Sequence, residues 1–543
     1  MALRPPMTDL PIAIHDAGFY DGFNRTVAIG SKVLVGVLIL WAAVFPEQAA
    51  EVLAGINSGL MANFGTWYIY ATAFFVLICL GLALWPASGR IRLGQPDEKP
   101  EFSSFSWFSM MFGAGIGIGM MTYSTAEPIY HFSTNPDVIK GTVAGASVET
   151  VRSAYKWSFL HWGLTPWGAY ALVGLSLAFF SYSRGLPLTI RSGLAPLFGD
   201  ALRGPLGHVI DIVAVVATVL GVAVTIGFGV SQFASGLYAI TGAEWMMVDG
   251  APTNGIMVVC LVIVMAASTL SAASGVGKGI KWLSNINMGL SFFLLAFFII
   301  FGATLFSFRA FFVGLFDYLV ALPSMMFTVW HDDGTETGKA LAEWQSAWTV
   351  FYWAWWIAFA PFVGLFLARI SRGRTIREFI FGAMLVPSLM CFAWFAIVGG
   401  TAIDLELSGV AQGSIINAGL SSQLFAMLGV MLSPAFFMAM NAIIVLLLLT
   451  YLVTSADSAI LIINTINSGG DASQKGNQHI LIWGAGLTVV IATLLYAGGL
   501  QALQTAMIIG ALPFSAIMAL SAIALVKAII RDGIRAREQA AAA

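Results

Sequence analysis

The sequence predicts an all-α membrane protein: about twelve transmembrane helices, with a core made of two inverted repeats of five helices each. Three observations carry that expectation. The 543-residue chain is 59% hydrophobic and 10% charged, with a mean hydropathy of +0.86, whereas a soluble domain carries about 25% charge. Apolar runs long enough to cross a bilayer recur along the whole length. Two of those runs carry residues that weaken a helix, at matching places in two successive blocks.

In chain order the runs centre near Leu38, Val76, Ile118, Ala171, Gly221, Val262, Leu295, Ala360, Ser388, Val445, Thr488 and Met518. Short cytoplasmic loops retain Lys and Arg. Arg90, Arg92 and Lys99 follow the second run, Arg184, Arg191 and Arg203 the fourth, and Arg369, Arg372, Arg374 and Arg377 the eighth. Most intervening loops lack bases; the exception precedes the fourth run, with Lys140, Arg152 and Lys156. The balance places both termini in the cytoplasm. Arg309–Phe327 is apolar but short, and reads as an amphipathic helix on the outer surface. The expected organisation is a cytoplasmic tail (1–27), two peripheral spans (28–100), a first repeat (101–307), the outer helix and linker (308–344), a second repeat (345–528) and a short cytoplasmic tail (529–543). No cleavable signal peptide is evident in "MALRPPMTDLPIAIHDAG".

A net charge of −2 gives no hint of a nucleic-acid partner. Cys79, Cys260 and Cys391 sit in apolar runs without metal-ligand spacing and read as core residues. No nucleophile–base pair or metal cluster stands out, the six histidines are scattered, and neither an enzyme nor a resident cofactor is expected.

The ladder "GAGIGIGMM" places glycine at Gly113, Gly115, Gly117 and Gly119. A dinucleotide fingerprint needs G-x-G-x-x-G between a strand and a helix, which a membrane run does not offer. G-x-x-x-G pairs suit close helix packing. Yet alternating glycines occupy more than one face, and each costs roughly 1 kcal/mol of helix propensity relative to Ala. A locally unwound helix facing a ligand or ion is the favoured reading, with packing as a contributor. The second interrupted run is "FYWAWWIAFAPFVG", with Pro361 and Gly364 in mid-span.

Aromatics cluster in "HWGLTPWGAY" (Trp162, Trp167, Tyr170) and "FYWAWW" (Trp353, Trp355, Trp356). Interfacial belts use Trp, but indole faces also attract cations by roughly 2 kcal/mol or more once desolvated. A quaternary ammonium donates no strong hydrogen bond, so an aromatic cage is the natural way to hold one. "YLVTSADSAIL" adds Thr454, Ser455, Asp457 and Ser458. Their hydroxyls suit a small alkali cation or, alternatively, helix–helix hydrogen bonds. Asp457 is expected to pair with the Arg cluster at its own end of the membrane. Glu127 and His161 are expected in structural roles.

The segments "GAGIGIGMMTYSTAEPIYHF", "HWGLTPWGAY", "FYWAWWIAFAPFVGLFLARISRGRTIREF" and "TSADS" closely resemble the betaine/choline/carnitine transporter family, over nearly the whole chain. The resemblance implies an amino-acid/sodium symporter type of core, a homotrimer in the plasma (inner) membrane, and an onium substrate. It places that substrate among Trp162, Trp167, Tyr170 and Trp356, beside the ladder backbone at Ala114 and Gly115, with Trp353 and Trp355 lining the path or a second site. Phe359, also placed among the substrate-binding residues, stands where sodium-coupled members commonly have Trp. The resemblance also implies sodium as the coupling ion, held by the Gly113, Ile116 and Tyr451 carbonyls and the Thr454 and Ser455 hydroxyls. A second sodium would rest on Thr218, its usual threonine partner being Val222. Asn287 stands where sodium-independent exchangers have Arg. Ile116 is Asp in many choline carriers. Short tails point away from strong osmosensing. The implied activity is sodium-coupled import of glycine betaine, carnitine or dimethylsulfoniopropionate. The alternatives are a sodium-independent onium antiporter or a choline transporter.

Overall fold

A computed structural model describes residues 5–115, 117–274, 277–473 and 476–542. Apart from a two-residue ribbon, Met247–Val248 against Ala251–Pro252, its regular structure is helical. Among the described residues, eleven helices are long and apolar enough to cross a membrane. The long helices are α1 (Arg25–Val44), α2 (Pro46–Leu84), α3 (Ser104–Gly115), α4 (Ile118–Ser133), α5 (Thr150–Trp162), α6 (Leu164–Ala178), α7 (Pro205–Thr241) and α8 (Asn254–Ser274). They continue as α9 (Gly277–Phe301), α10 (Thr304–Met325), α11 (Glu336–Gln345), α12 (Phe351–Ile370), α13 (Ile376–Trp394), α14 (Pro434–Asn467) and α15 (Asn477–Ala542).

The ladder interrupts its helix as expected. α3 ends at Gly115 and α4 starts at Ile118, with Gly117 extended at φ −158°. Ile116 lies outside the described residues. The glycines differ in what they do. A Cβ on Gly113 or Gly117 would meet nothing within 4 Å, whereas one on Gly119 would lie 3.1 Å from Trp162 and 3.3 Å from Trp355. Close packing thus belongs to Gly119.

The second expected interruption is not found. α12 runs unbroken through Pro361 and Gly364. Proline removes one hydrogen bond to the Ile357 carbonyl, a loss that membrane helices tolerate when neighbours cover the site. Gly364 serves packing instead: a Cβ there would sit 2.6 Å from Val173, and one on Gly174 would sit 3.1 Å from the Gly364 carbonyl. The α6 and α12 backbones cross closely at this pair, as small residues permit. The irregularity in this run is a π-helical turn at Ser346–Val350, before α12.

An interruption that the sequence reading missed lies at Gly163, between α5 and α6. A Cβ at Gly163 would lie 2.5 Å from the Phe159 carbonyl and 2.6 Å from Phe392, so only glycine fits. The first amide of α6, on Leu164, donates to Tyr318 Oη at 3.0 Å.

Three further elements test expectations. α10 begins at Thr304, before the expected Arg309, and by length and composition it could itself cross a membrane. Its Leu305, Phe308, Phe312, Phe316 and Leu319 are exposed. α15 is kinked at Gly498 and at Gly499, whose φ of +64° favours glycine, which separates the expected eleventh and twelfth runs. The segment "LARISRGRTIREF" is a clamp. Thr375 and Glu378 form a capping box opening α13. Arg374 donates to the Phe102 carbonyl at 2.7 Å and lies 4.6 Å from the Trp107 ring centre. Arg377 donates to the Ala83 carbonyl at 2.8 Å. The three cysteines are free and buried.

Candidate functional site

Gly163 and the α6–α12 crossing bring one group of aromatic rings together. Trp162 ends α5, Trp167 and Tyr170 lie on α6, and Trp356 lies on α12; all four are buried. Trp162 meets Trp356 with ring centres 5.0 Å apart at 80°. Tyr170 meets Trp356 at 5.8 Å and 89°, and Trp167 meets Tyr170 at 5.3 Å and 77°. Near-perpendicular rings present faces from several directions, the arrangement a compact cation needs. None of the four is an interfacial belt residue, because burial removes them from the surface. Trp356 is oriented by its indole N–H, which donates to the His161 carbonyl at 3.0 Å. Tyr170 Oη is buried with no hydrogen-bond partner among the described residues. A buried hydroxyl left without a protein partner is unusual and suits a polar ligand group.

The other predicted aromatics are arranged differently. Trp355 lies parallel to Trp356 at 5.4 Å and 7°. Its N–H is spoken for by Thr225 Oγ1 at 3.0 Å, and its ring packs on Tyr123, Phe228 and Phe351. Trp353 stands edge-on to the His161 ring at 5.9 Å. Phe359 pairs with Phe362 at 4.9 Å. Ala114 and Gly115 lie in the last turn of α3.

Of the expected sodium ligands, Gly113 lies in the last turn of α3, where carbonyls lack intrahelical donors. On α14, Thr454 Oγ1 lies 3.2 Å from the Tyr451 carbonyl, and Ser455 follows it in the chain. Asn287 Nδ2 on α9 donates to Thr454 Oγ1 at 3.2 Å. Tyr451 Oη bonds Ser291 Oγ at 2.7 Å. The structure therefore brings Tyr451 and Thr454 together, and keeps them on a different helix from Gly113. Thr218 is buried on α7, its hydroxyl donating to the Ala214 carbonyl at 2.7 Å.

Asp457 does not pair with the Arg cluster. It accepts from Ser271 Oγ at 2.8 Å and from Ser458 Oγ at 3.1 Å. Arg369 of that cluster instead reaches Thr465, 3.4 Å away and further along α14. Two serine hydroxyls offer this carboxylate short, local hydrogen bonds that a distant guanidinium cannot.

The histidines are not all scattered. Glu127, His131 and His161 are fully buried, with potential ligand atoms within 4.8 Å of one another. Glu127 Oε1 faces His161 Nδ1 at 2.7 Å and His131 Nε2 at 3.2 Å. Glu127 Oε2 accepts from the Trp162 indole at 2.6 Å and from Tyr352 Oη at 2.5 Å. The available sequence signal was an acid inside an apolar run with His one helical turn later, since a buried carboxylate requires partners. Its link to His161 and Tyr352, on other helices, was not legible.

Comparison with known proteins agrees with this architecture. The model of the family described as BCCT, betaine/carnitine/choline family transporter, matches residues 26–534. Glycine betaine transporter OpuD of Bacillus subtilis is 36% identical over 499 residues, covering 92% of this chain and 93% of the relative. A probable glycine betaine transporter of Desulfitobacterium hafniense is 37% identical, covering 94% of this chain and 99% of the relative. A glycine betaine/proline/choline transporter of Vibrio parahaemolyticus is 35% identical, covering 94% and 91%. With a helical membrane fold and a family match over nearly its whole length, this chain belongs to the betaine/carnitine/choline family of membrane transporters, and is not an enzyme.

Proposed function

We propose that the protein is a sodium-coupled symporter that imports a zwitterionic onium compound, with glycine betaine as the first candidate, across the plasma membrane. The observation that carries the substrate class is the group of crossed rings at Trp162, Trp167, Tyr170 and Trp356 with the unpartnered Tyr170 hydroxyl beside it. The rings take the trimethylammonium or sulfonium head. The hydroxyl and the free ends of the interrupted helix α3–α4 offer polar contacts to the anionic end. Relatives described as glycine betaine transporters support the choice. Carnitine and dimethylsulfoniopropionate carry the same two chemical ends.

Sodium coupling is supported by hard oxygen donors, the Tyr451 carbonyl and Thr454 hydroxyl, beside a neutral Asn287 rather than a fixed cation. The proposed ligands are the Gly113, Ile116 and Tyr451 carbonyls with the Thr454 and Ser455 hydroxyls; Thr218 belongs to a second site. The proposed count of twelve spans takes α3–α4, α5–α6 and α11–α12 as one span each and α15 as two, and leaves α10 outside the set. The proposed assembly is a homotrimer with cytoplasmic termini.

The test is uptake of labelled glycine betaine into proteoliposomes. A sodium gradient should drive accumulation, and replacing sodium with potassium should abolish it. Uptake that ignores sodium but accelerates with internal substrate would establish the antiporter instead.

A further inference from the structure

We infer that Glu127 is a buried anion that tunes the aromatic cage electrostatically, acting through Trp162 as a positioning residue and not by touching the substrate. The inference rests on the cage reading above.

The hydrogen-bond partners favour the charged form. A carboxylate offers about four lone-pair sites, and Glu127 faces four groups able to donate: His131 and His161 at Oε1, Trp162 and Tyr352 at Oε2. The Trp162 N–H and the Tyr352 O–H have no better acceptor there. A protonated Glu127 could place its hydrogen only on a histidine nitrogen, so the charged form is the one that lets all four neighbours donate. His131 Nδ1 is buried with no hydrogen-bond partner among the described residues, and a second N–H left there without an acceptor would be costly, which favours a neutral ring. His161 Nε2 lies 3.1 Å from the Thr349 hydroxyl, which donates to it when the ring is neutral and carries its proton on Nδ1. The Glu127 ion-pair contacts are the two histidines alone, among the described residues. We therefore take the carboxylate as charged and both histidines as neutral, in a site with no Lys or Arg partner among the described residues.

A buried, unpaired anion is costly, and four charge-assisted hydrogen bonds offset only part of that cost. An onium head arriving at Trp162 supplies the missing counter-charge. Two effects add. The monopole of Glu127 attracts the cation through a medium of low dielectric. A carboxylate bonded at 2.6 Å to the indole N–H also pushes electron density into the ring, which strengthens the attraction of its face for a cation. The same cluster fixes geometry, because His161, held by Glu127, supplies the carbonyl that orients Trp356.

The experiment compares glycine betaine with 3,3-dimethylbutanoate, in which carbon replaces the charged nitrogen without changing the shape. Binding is read by intrinsic fluorescence of the purified full-length protein. In the wild type, betaine should bind about tenfold or more tightly than its neutral-headed isostere. Glu127→Gln should weaken betaine by about tenfold while changing the isostere by less than about threefold. Equal weakening of both ligands would show a merely structural role and overturn the inference. If Glu127→Gln does not fold, the wild-type comparison still decides, because equal affinity for the two ligands would leave the buried charge without effect. Tyr352→Phe, which keeps the charge, should preserve the preference; its collapse would overturn the inference. Stoichiometric metal in the purified protein would overturn it too, since a cation held by Glu127, His131 and His161 would cancel the charge. Failure of betaine to bind at all would instead reject the proposed substrate.

Discussion

Replacing Trp356 should separate what its ring contributes from what its hydrogen bond contributes. The indole N–H donates to the His161 carbonyl at 3.0 Å, while the ring meets Trp162 at 5.0 Å and Tyr170 at 5.8 Å. Trp356→Phe keeps an aromatic face but frees the ring from its anchor. Re-ordering an unanchored side chain on binding costs about 1 kcal/mol, or about fivefold in affinity. Trp356→Leu loses the anchor and also about 2 kcal/mol of cation–π attraction. The total of about 3 kcal/mol corresponds to about 150-fold. The assay is betaine titration by fluorescence, with apparent KM for uptake measured in parallel. Phe359→Leu serves as a control, because Phe359 pairs with Phe362 and not with the cage, and it should change affinity by less than about threefold. Equal effects of Trp356→Leu and Phe359→Leu would refute the assignment of the cage.

Thr454→Val removes a hydroxyl that lies 3.2 Å from the Tyr451 carbonyl, and should raise the half-saturating sodium concentration about tenfold at fixed betaine; an unchanged sodium dependence rejects Thr454 as a ligand. Asp211→Asn breaks a buried pair in which Arg191 Nε lies 2.6 Å from Asp211 Oδ2. It should cost about 3–5 kcal/mol, read as a large drop in Tm in detergent, and a drop comparable to that of an exposed-pair variant such as Arg152→Ala would contradict this. Gly382→Ala would place a Cβ 2.2 Å from Trp107, whose N–H is fixed on Ser371 at 2.9 Å. Overpacking of about 1–3 kcal/mol is expected, and unchanged thermal stability would show that Trp107 can move.

The ladder shows what a pattern can and cannot convey. Glycines at every second position lower helix propensity wherever the chain lies, so a break near Gly117 was legible. Pro361 and Gly364 carry the same local signal, but α12 stays helical because its neighbours cover it. Gly163, with Pro166 three residues on, carries a comparable local signal, and Phe392 and Tyr318 from other helices leave room there only for glycine. Asp457 and Glu127 were both recognised as acids in apolar runs. Their partners, Ser271 in one case and His161 with Tyr352 in the other, come from helices distant in sequence.

Composition, the length of the apolar runs and the residue types in four motifs determined the class of the molecule, its family and the aromatics that make a cage. These properties follow from hydrophobicity and local propensity, which each segment carries by itself. Tertiary structure decided which glycines break a helix and which permit two helices to touch. It also decided which tryptophans face one another, and that a buried carboxylate stands behind one of them. Those outcomes depend on close packing and on the need of every buried polar atom for a partner, and both are properties of residues brought together from separate parts of the chain.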